Sequence, residues 1–447
     1  MASSRWVSEA LFEAFFSQED RSQVAVAARF ERVGRGPRVA RLASKALCAK
    51  HKQLAGGDLS ALRPWLNRYV AKRGLADEIP CVRQWLALSP SHRLRWPTPE
   101  IESVDGLIAF MAKQCAFEDL TRERVMGLAY PRRSRVRASH RDDPYERYWI
   151  AKRSGGARLI EAPRSTLRAM QRALLDGLIE HIPVHRAACG FRTGQSVVDH
   201  ASRHVGRDVV IRIDLEDFFH SFDVARVRAF FELAGYARSV SYVMAALCTT
   251  QTPTRVLRQP VRAGGLSSVE ARTLISARQR DRLLMRHMPQ GAPSSPALSN
   301  ALSYSLDTRL AGLAERFGAS YSRYADDLVF SGDSSLARHA RELVVWVSEI
   351  VRDERFEVRA SKTQVMTRAT RQVVGGLVVN ERVGLPRRER EALEALVFNC
   401  VQHGPASQNR ANVSDFRAHL AGRVAYATHV DPVRAQPIAE LFSRIVW

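Results

Sequence analysis

Two adjacent carboxylates, Asp326 and Asp327, are the residues whose type and placement most directly suggest chemistry in this chain. They lie between two short apolar runs, so we expect them at the tip of a β-hairpin. A buried Asp-Asp pair repels itself unless a cation neutralises it, and carboxylate oxygens are ligands that suit Mg²⁺. On its own, the dipeptide fits a solvated turn better, because Asp is common in turns.

A second acidic strand, predicted over residues 209–215, favours the metal site. This run is apolar and rich in β-branched residues, and it delivers Asp214 near its end. Together with Asp326 and Asp327 it would place three carboxylates on two neighbouring strands. Two-metal phosphoryl transfer needs such a set, since one ion activates the attacking hydroxyl and the other steadies the triphosphate and the leaving group.

With these motifs in place, the chain resembles a reverse transcriptase over about two-thirds of its length. Residues 148–163 are similar to the fingers hairpin of bacterial members, with Gly155 and Gly156 at the turn. Residues 290–300 are similar to the segment that lies under the nascent base pair, and residues 296–310 are predicted to form a helix. A basic surface hairpin and an ordinary start of a helix are the alternatives for these two segments.

The resemblance implies a catalytic and metal-binding set. Asp214, Asp326 and Asp327 would hold two Mg²⁺ ions, together with the backbone carbonyl of Leu215. Lys362 would protonate the departing pyrophosphate, although a solvated strand lysine is almost as consistent with its position.

The resemblance also implies a set of residues for the incoming dNTP. Lys152 and Arg158 would reach its triphosphate, and Gln290 would contact the nucleotide. Phe219, five residues after Asp214, would be the steric gate that collides with a ribose 2′-hydroxyl. Its alternative is core packing, since one ring of the Phe218-Phe219 pair is expected in the core.

Three segments resemble the retron group of reverse transcriptases. Residues 190–204 are similar to a box that ends in Asn-Ala-x-x-His, and residues 420–432 look like the terminal thumb segment. Residues 373–380 are similar to the Val-Thr-Gly-Leu segment, with Gly375 where the family usually carries Thr. Because the first and the third of these depart from the pattern, the chain is identified as retron-like rather than as a typical retron enzyme.

Within the first of these segments, His200 and His204 are four residues apart and would share one face of a helix, so a metal site is one interpretation. We reject zinc because no third ligand with zinc spacing lies nearby and the cysteines are scattered. The scattered cysteines also predict reduced thiols in a cytoplasmic protein.

Composition independently predicts a nucleic-acid partner. The chain holds 68 Lys and Arg against 46 Asp and Glu, which gives a formal charge of +22. Most of these cations are Arg, whose planar fork contacts phosphate and stacks on bases, so a tightly held structured RNA is expected. No apolar run approaches the length of a membrane span, and no membrane partner is predicted.

The expected fold class is α+β, a right-hand polymerase with fingers, palm and thumb. Residues 1–140 are predicted as a helical extension of unknown role, 141–370 as fingers and palm, and 371–447 as the thumb and an RNA-binding C-terminal region. Two basic stretches, 131–137 and the arginines between Cys248 and Gln290, could contact RNA or be solvated surface.

The function that the resemblance implies is RNA-directed DNA synthesis. A retron-like enzyme would copy part of a bound structured noncoding RNA, which serves as template and primer, into DNA. Priming from a 2′-hydroxyl would leave a branched RNA-DNA product, the msDNA, and an effector partner in anti-phage defence is implied. The alternatives are a reverse transcriptase of the group II intron or diversity-generating kind, and a noncatalytic RNA-binding scaffold.

Overall fold

The computed structural model describes residues 7–8, 11–12, 14–15, 22–33, 37–54, 61–75, 94–115, 117, 120–131, 143–152, 157–258 and 275–447. The turn at Gly155-Gly156, the basic run 132–137, and Arg262 and Arg272 lie outside them. The chain forms two compact units, residues 1–183 with 222–298 and residues 184–221 with 299–447. The functional boundaries predicted at residues 140 and 370 stay predictions.

The described structure before residue 131 is helical, and a hairpin and further helices follow it. The elements in the first part of the chain are α1 (Gln23–Val33), α2 (Pro37–Leu54), α3 (Leu62–Lys72), α4 (Val104–Cys115), α5 (Arg122–Ala129), β1 (Tyr145–Ala151), β2 (Ala157–Pro163), α6 (Ser165–Gly177), α7 (Val197–Ser202), β3 (Val209–Asp214), α8 (Val224–Leu233), α9 (Arg238–Leu247), α10 (Thr254–Arg258) and α11 (Ala277–Leu284). No helix among the described residues is long and apolar enough to cross a membrane.

The second part of the chain completes the main sheet and ends in helices. Its elements are α12 (Ser294–Leu302), α13 (Tyr304–Arg316), β4 (Ser320–Tyr324), β5 (Asp327–Gly332), α14 (Ser334–Asp353), β6 (Gln364–Thr367), β7 (Val373–Val374), β8 (Leu377–Val378), α15 (Arg387–His403), α16 (Pro405–Gln408), α17 (Phe416–Val430) and α18 (Pro432–Ser443).

One helix predicted from the sequence is wrong in its extent. Residues 296–310 do not form a continuous helix, because α12 ends at Leu302 and α13 begins at Tyr304. Ser303 between them has left the helical region, with φ −91° and ψ 7°. Its amide nitrogen is shared between the carbonyls of Ser299 and Asn300, a tightening that is typical of a helix end.

In the first unit, β1 and β2 form the predicted antiparallel hairpin, with Tyr145 opposite Pro163 and Ala151 opposite Ala157. Its buried positions alternate with more exposed ones, so one face of the hairpin packs inward. Trp149 and Leu159 on that face join a core with side chains of α10 and α11. Helices α1 to α3 share a separate small core.

In the second unit, a four-stranded antiparallel sheet has the order β4-β5-β3-β6. All residues of β5 are buried, which shows that both faces of the sheet are covered. The tight pair β7-β8 turns at Gly375-Gly376, as predicted, and a separate apolar core joins α15, α17 and α18. Helices packed on an antiparallel sheet agree with the predicted α+β class.

A fully buried ion pair joins the sheet of this unit to helix α13. The Arg323 guanidinium donates to both carboxylate oxygens of Asp307, at 2.8 and 2.7 Å, and neither side chain is exposed. Arg323 also donates to Asn300 Oδ1 and to the Ala325 carbonyl, each at 3.1 Å. Because a buried charge is costly unless every donor finds an acceptor, this set of partners fixes the position of β4.

Replacing Asp307 with Asn leaves the Arg323 charge buried without its counter-charge. We expect Asp307→Asn to lower the free energy of unfolding by about 3–5 kcal/mol, measured by urea denaturation. Glu315 on the same helix pairs with Arg186 in an exposed bridge, so Glu315→Gln is the matched control and should cost less than about 1 kcal/mol. Equal losses in the two variants would contradict this account.

Candidate active site

The strand register of the second unit brings the three predicted aspartates together. Asp214, the last residue of β3, lies directly opposite Asp327, the first residue of β5. Asp326 lies in the two-residue loop between β4 and β5, and its carbonyl accepts a hydrogen bond from Leu215 N at 2.8 Å. Asp214 and Asp327 are both buried. Negative charges that are this near repel one another, and a bound cation would relieve that repulsion.

The loop that carries Asp326 has a constrained backbone. Ala325 has φ +56°, which is uncommon for a residue other than glycine and is typical of tight hairpins and functional sites. Gly190 packs against this loop, since a Cβ there would lie 3.1 Å from the Tyr324 ring and 3.2 Å from Ala325 N. Asn300 holds the carbonyl of Gly190 at 2.7 Å. The loop is therefore fixed by contacts behind it.

Three cations that are close in space balance the aspartates. Arg212 Nε donates to both oxygens of Asp327, at 2.7 and 2.8 Å. Lys362 Nζ lies 3.3 Å from Asp214 Oδ1, and Arg359 Nη1 lies 3.7 Å from Asp214 Oδ2. Sequence reasoning missed Arg359 and Arg212. Arg212 carried a signal, because a charged residue two positions before Asp214 in an apolar strand shares its face of the sheet.

Burial makes the ionised form of Asp327 costly. It raises the pKa of Asp327 to about 6, while the Arg212 guanidinium acts in the opposite direction and the neighbouring Asp326 and Asp214 carboxylates add to the rise. A carboxyl group with such a pKa gains from a further positive charge beside it.

The donor set fits a hard divalent cation. Asp214 Oδ2 is buried and accepts no hydrogen bond from any residue that the structure describes. Backbone bonds around it run from Leu215 N to Asp326 O, from Glu216 N to Glu357 O and from Arg359 N to Asp214 O, and none uses the Leu215 carbonyl. Oxygen donors without His or Cys suit Mg²⁺. The assignment of these ligands stays a prediction.

The two adjacent phenylalanines differ in burial, as expected. Phe218 is buried and stacks on Phe356, whereas Phe219 is only half-buried and its ring lies 6.3 Å from that of Phe191. Phe191, which is 42% exposed with φ +58°, is a neighbour that the sequence did not reveal. The half-buried position of Phe219 is compatible with its predicted role as the gate, which stays a prediction.

Three of the four residues predicted to contact the nucleotide, Lys152, Arg158 and Gln290, lie in the first unit, whereas Phe219 lies in the second. Lys152 follows β1 and is half-buried, and Arg158 is exposed on β2. The carbonyl of Gln290 accepts a hydrogen bond from Glu161 N at 2.8 Å. At Gly291, where φ is +127°, a Cβ would lie 3.2 Å from the Glu161 carbonyl oxygen. The backbone at Gly291 thus approaches the hairpin closely, which only a residue without a side chain allows.

A buried polar network supports the hairpin from behind. Glu161 accepts from Arg147 at 2.7 Å and contacts His287 Nε2 at 2.8 Å. Burial alone would raise the pKa of Glu161, but His287 and Arg147 outweigh it and hold that pKa well below its usual range. Asp143 binds both Arg147 and Arg255, at 2.6 and 2.8 Å. This pairing gives Arg255, one of the arginines considered for RNA contact, a structural partner.

The two histidines of the retron-like box serve the sheet of the second unit. His204 bridges Ser331 Oγ on β5 and Ser322 Oγ on β4, at 2.7 and 2.6 Å. The ring of His200 stacks on that of Tyr324 at 5.6 Å. Helix α7 and the turn that follows it therefore support the strands on either side of the loop that carries Asp326.

The replacement of the family's Thr by Gly375 also has a local explanation. Gly375 has φ +57°, and a Cβ there would lie 2.5 Å from Val197 Cγ2 on α7. A β-branched residue with this backbone would be strained and would push α7 away. The two retron-like segments that depart from the pattern are thus in contact with each other.

Both histidines should make stability depend on pH. Burial lowers the pKa of His204 to about 3 and that of His200 to about 4, from 6.5. Below pH 6.5 the unfolded chain therefore binds more protons than the folded one, and stability falls as pH falls towards those values. We expect His204→Gln to reduce the slope by up to about 1.4 kcal/mol per pH unit, measured by urea denaturation between pH 7 and pH 5.

The comparison isolates His204 from the opposing effect of Asp327. The raised pKa of Asp327 makes the folded chain bind more protons as pH falls below 6, which favours folding. Since wild type and His204→Gln share Asp327, its contribution cancels in their difference. Parallel pH profiles for the two proteins would show that His204 is not held neutral.

Comparisons with known proteins agree with this geometry. The family model described as reverse transcriptase (RNA-dependent DNA polymerase) matches residues 150–396. The retron Mx65 reverse transcriptase of Myxococcus xanthus is 41% identical over 69% of this chain and 65% of the relative, and the retron Mx162 enzyme of the same organism is 35% identical over 65% and 59%. This chain thus spans less than two-thirds of the length of either relative.

Among solved structures, a foamy viral protease-reverse transcriptase in complex with double-stranded DNA is 14% identical, with a TM-score of 0.35 over 67% of this chain and 39% of that one. That likeness is too distant to carry an argument. The family match, by contrast, spans more than half of the chain, and it confirms the reverse transcriptase resemblance and the right-hand polymerase class predicted from the motifs. The similarity to the two retron enzymes agrees with the resemblance of the three retron-like segments. The chain belongs to the reverse transcriptase (RNA-dependent DNA polymerase) family.

Proposed function

We propose that this protein is an RNA-directed DNA polymerase that uses two Mg²⁺ ions. The observation that carries the proposal is the register that sets Asp214 opposite Asp327, with Asp326 in the adjoining loop, in a chain of the reverse transcriptase family. The ions, when bound, would activate a primer hydroxyl and neutralise charge on the triphosphate.

The aspartates and their neighbours would hold the reacting groups in place. Asp214, Asp326 and Asp327 are the carboxylate ligands, and Arg212 orients Asp327 through two hydrogen bonds. The ammonium group of Lys362 lies beside Asp214 and is placed to neutralise it or to pass a proton to the departing pyrophosphate.

Four further residues would supply the contacts to the nucleotide. Lys152 and Arg158 bind the triphosphate from the hairpin, where fixed cations are worth most as charge develops on the leaving group. Gln290 contacts the same nucleotide from the loop that is hydrogen-bonded to β2. Phe219 excludes a ribose 2′-hydroxyl by steric collision, which selects dNTPs.

The template and primer would be a structured noncoding RNA that remains bound. The formal charge of +22 supports a tightly held polyanion, and the relatives named above are retron reverse transcriptases. As the resemblance to the retron group implies, we propose a DNA product joined to RNA through a branch, and a role in anti-phage defence with an effector protein.

The double variant Asp326→Asn, Asp327→Asn tests the polymerase. It keeps the size and shape of both side chains while removing two negative charges, so Mg²⁺-dependent extension of a DNA primer on an RNA template should fall by at least about a thousandfold. Retention of RNA on purification should persist. Extension at the wild-type rate would refute the metal-ligand assignment, and a noncatalytic scaffold would show no extension in either protein.

The nucleic acid that copurifies with the protein tests the retron type. We expect a small DNA that resists separation from RNA until a debranching enzyme cleaves the linkage. RNA alone, from a protein that still extends primers, would instead favour another class of reverse transcriptase. The double Asn variant is the control, because it should carry RNA without the attached DNA.

A Cβ at Gly190 tests whether the contacts behind the loop position Asp326. Gly190→Ala would press on the Tyr324 ring and on Ala325 N, so we expect primer extension to fall by about tenfold or more while the melting temperature changes little. Gly312→Ala on α13 is the matched control, since a Cβ there meets nothing within 4 Å. An unchanged extension rate in Gly190→Ala would contradict this role.

A further inference from the structure

The second helix of the chain has an unusual distribution of charge. Helix α2 carries five Lys and Arg residues and no acidic residue. The flanking helix α1 holds two arginines and a single acidic residue, Glu31, and α3 holds three cations and no acid. The local excess of positive charge in these described helices is therefore steeper than in the chain as a whole.

The cations of α2 form one exposed stripe. Arg38, Arg41, Lys45 and Lys52 are exposed, and their spacing of three, four and seven residues places them within a narrow arc of the helix. The opposite face is buried in the small core that α2 shares with its neighbours, through the side chains of Val39, Ala40, Ala43 and Leu47. Packing thus fixes which way the stripe points.

Three of the four cations of the stripe have no partner among the described residues. The side chains of Arg41, Lys45 and Lys52 make no hydrogen bond or salt bridge with any residue that the structure describes. Lys50, which lies off the stripe, instead donates to Gln53 Oε1 at 2.9 Å. Several like charges in a row destabilise a helix surface, so their alignment calls for a counter-charge from outside the chain.

We infer that this stripe is a binding site for the sugar-phosphate backbone of a double-stranded RNA stem. From residue 38 to residue 52 the stripe runs about 21 Å, which corresponds to about six phosphates of one strand. Helix α2 contains no Phe, Tyr or Trp. Single-stranded binding sites add aromatic platforms for stacking of bases, whereas duplex RNA is held through its shape and its phosphates.

The site gives the N-terminal helices a task distinct from catalysis. It contains none of the residues placed at the aspartates or at the nucleotide. That the stem belongs to the template RNA rests on the proposed function, whereas binding of a duplex backbone by the stripe does not. The N-terminal region would then anchor a helical part of the RNA.

The test compares two double variants of the full chain with the same loss of charge. Arg41→Gln, Lys45→Gln removes two cations of the stripe. Lys113→Gln, Arg172→Gln removes one Lys and one Arg that are exposed elsewhere in the same unit. Binding of a labelled RNA hairpin with a fully paired stem is measured by fluorescence anisotropy over a range of salt concentrations.

We expect the stripe variant to bind the hairpin about tenfold more weakly and to reduce the slope of log affinity against log salt by about two, since each lost phosphate contact removes about one counterion. The control variant and binding of labelled oligo(dT) should change little. An equal loss in the control, or an equal loss for oligo(dT), would overturn the assignment.

Primer extension on a short annealed template separates this inference from the polymerase. The stripe variant should extend at the wild-type rate, because its changes lie outside the catalytic residues. A wild-type protein that binds the hairpin through the stripe but extends no primer would support the binding site and refute the proposed function.

Discussion

The buried ion pair of Arg323 and Asp307 fixes the position of the loop that carries Asp326. A guanidinium without access to water must place each of its donors on an acceptor, and one of those acceptors is the carbonyl of Ala325, in the loop itself. Any shift of the loop would leave a donor unsatisfied at a cost of several kcal/mol. The aspartates are therefore held in position by a charge that is not part of the proposed metal site.

Around this fixed loop the charges are nearly balanced before any ion arrives. Three carboxylates lie among three cations, and Asp327 still has a raised pKa because burial outweighs the Arg212 contact. The three cations nevertheless leave room for a metal ion, since one oxygen of Asp214 accepts no hydrogen bond from the residues that the structure describes. Burial therefore destabilises the ionised form of Asp327, which is the form that the proposed metal site needs.

The local parts of this architecture could be predicted from the sequence, and the long-range parts could not. The strand before Asp214 and the hairpin at Asp326 follow from the types of neighbouring residues. The hairpin of residues 148–163 and the choice of Phe219 over Phe218 also needed the resemblance to reverse transcriptases. The pairing of His204 with Ser322 and Ser331 joins residues more than a hundred positions apart. Nothing in a local pattern specifies such a partner. The break at Ser303 was missed because a serine is compatible with a helix interior as well as with its end.

The contact of Gly291 with Glu161 has a mechanical consequence. The backbone of the Gln290 loop is hydrogen-bonded to β2, and there is no room for a side chain between them at Gly291. The loop and the hairpin therefore move as one rigid body. If the hairpin moves, Gln290 must move together with Lys152 and Arg158, the residues proposed to contact the triphosphate. A change in the length of either segment would therefore have to be matched in the other, so the two should accept insertions only in concert.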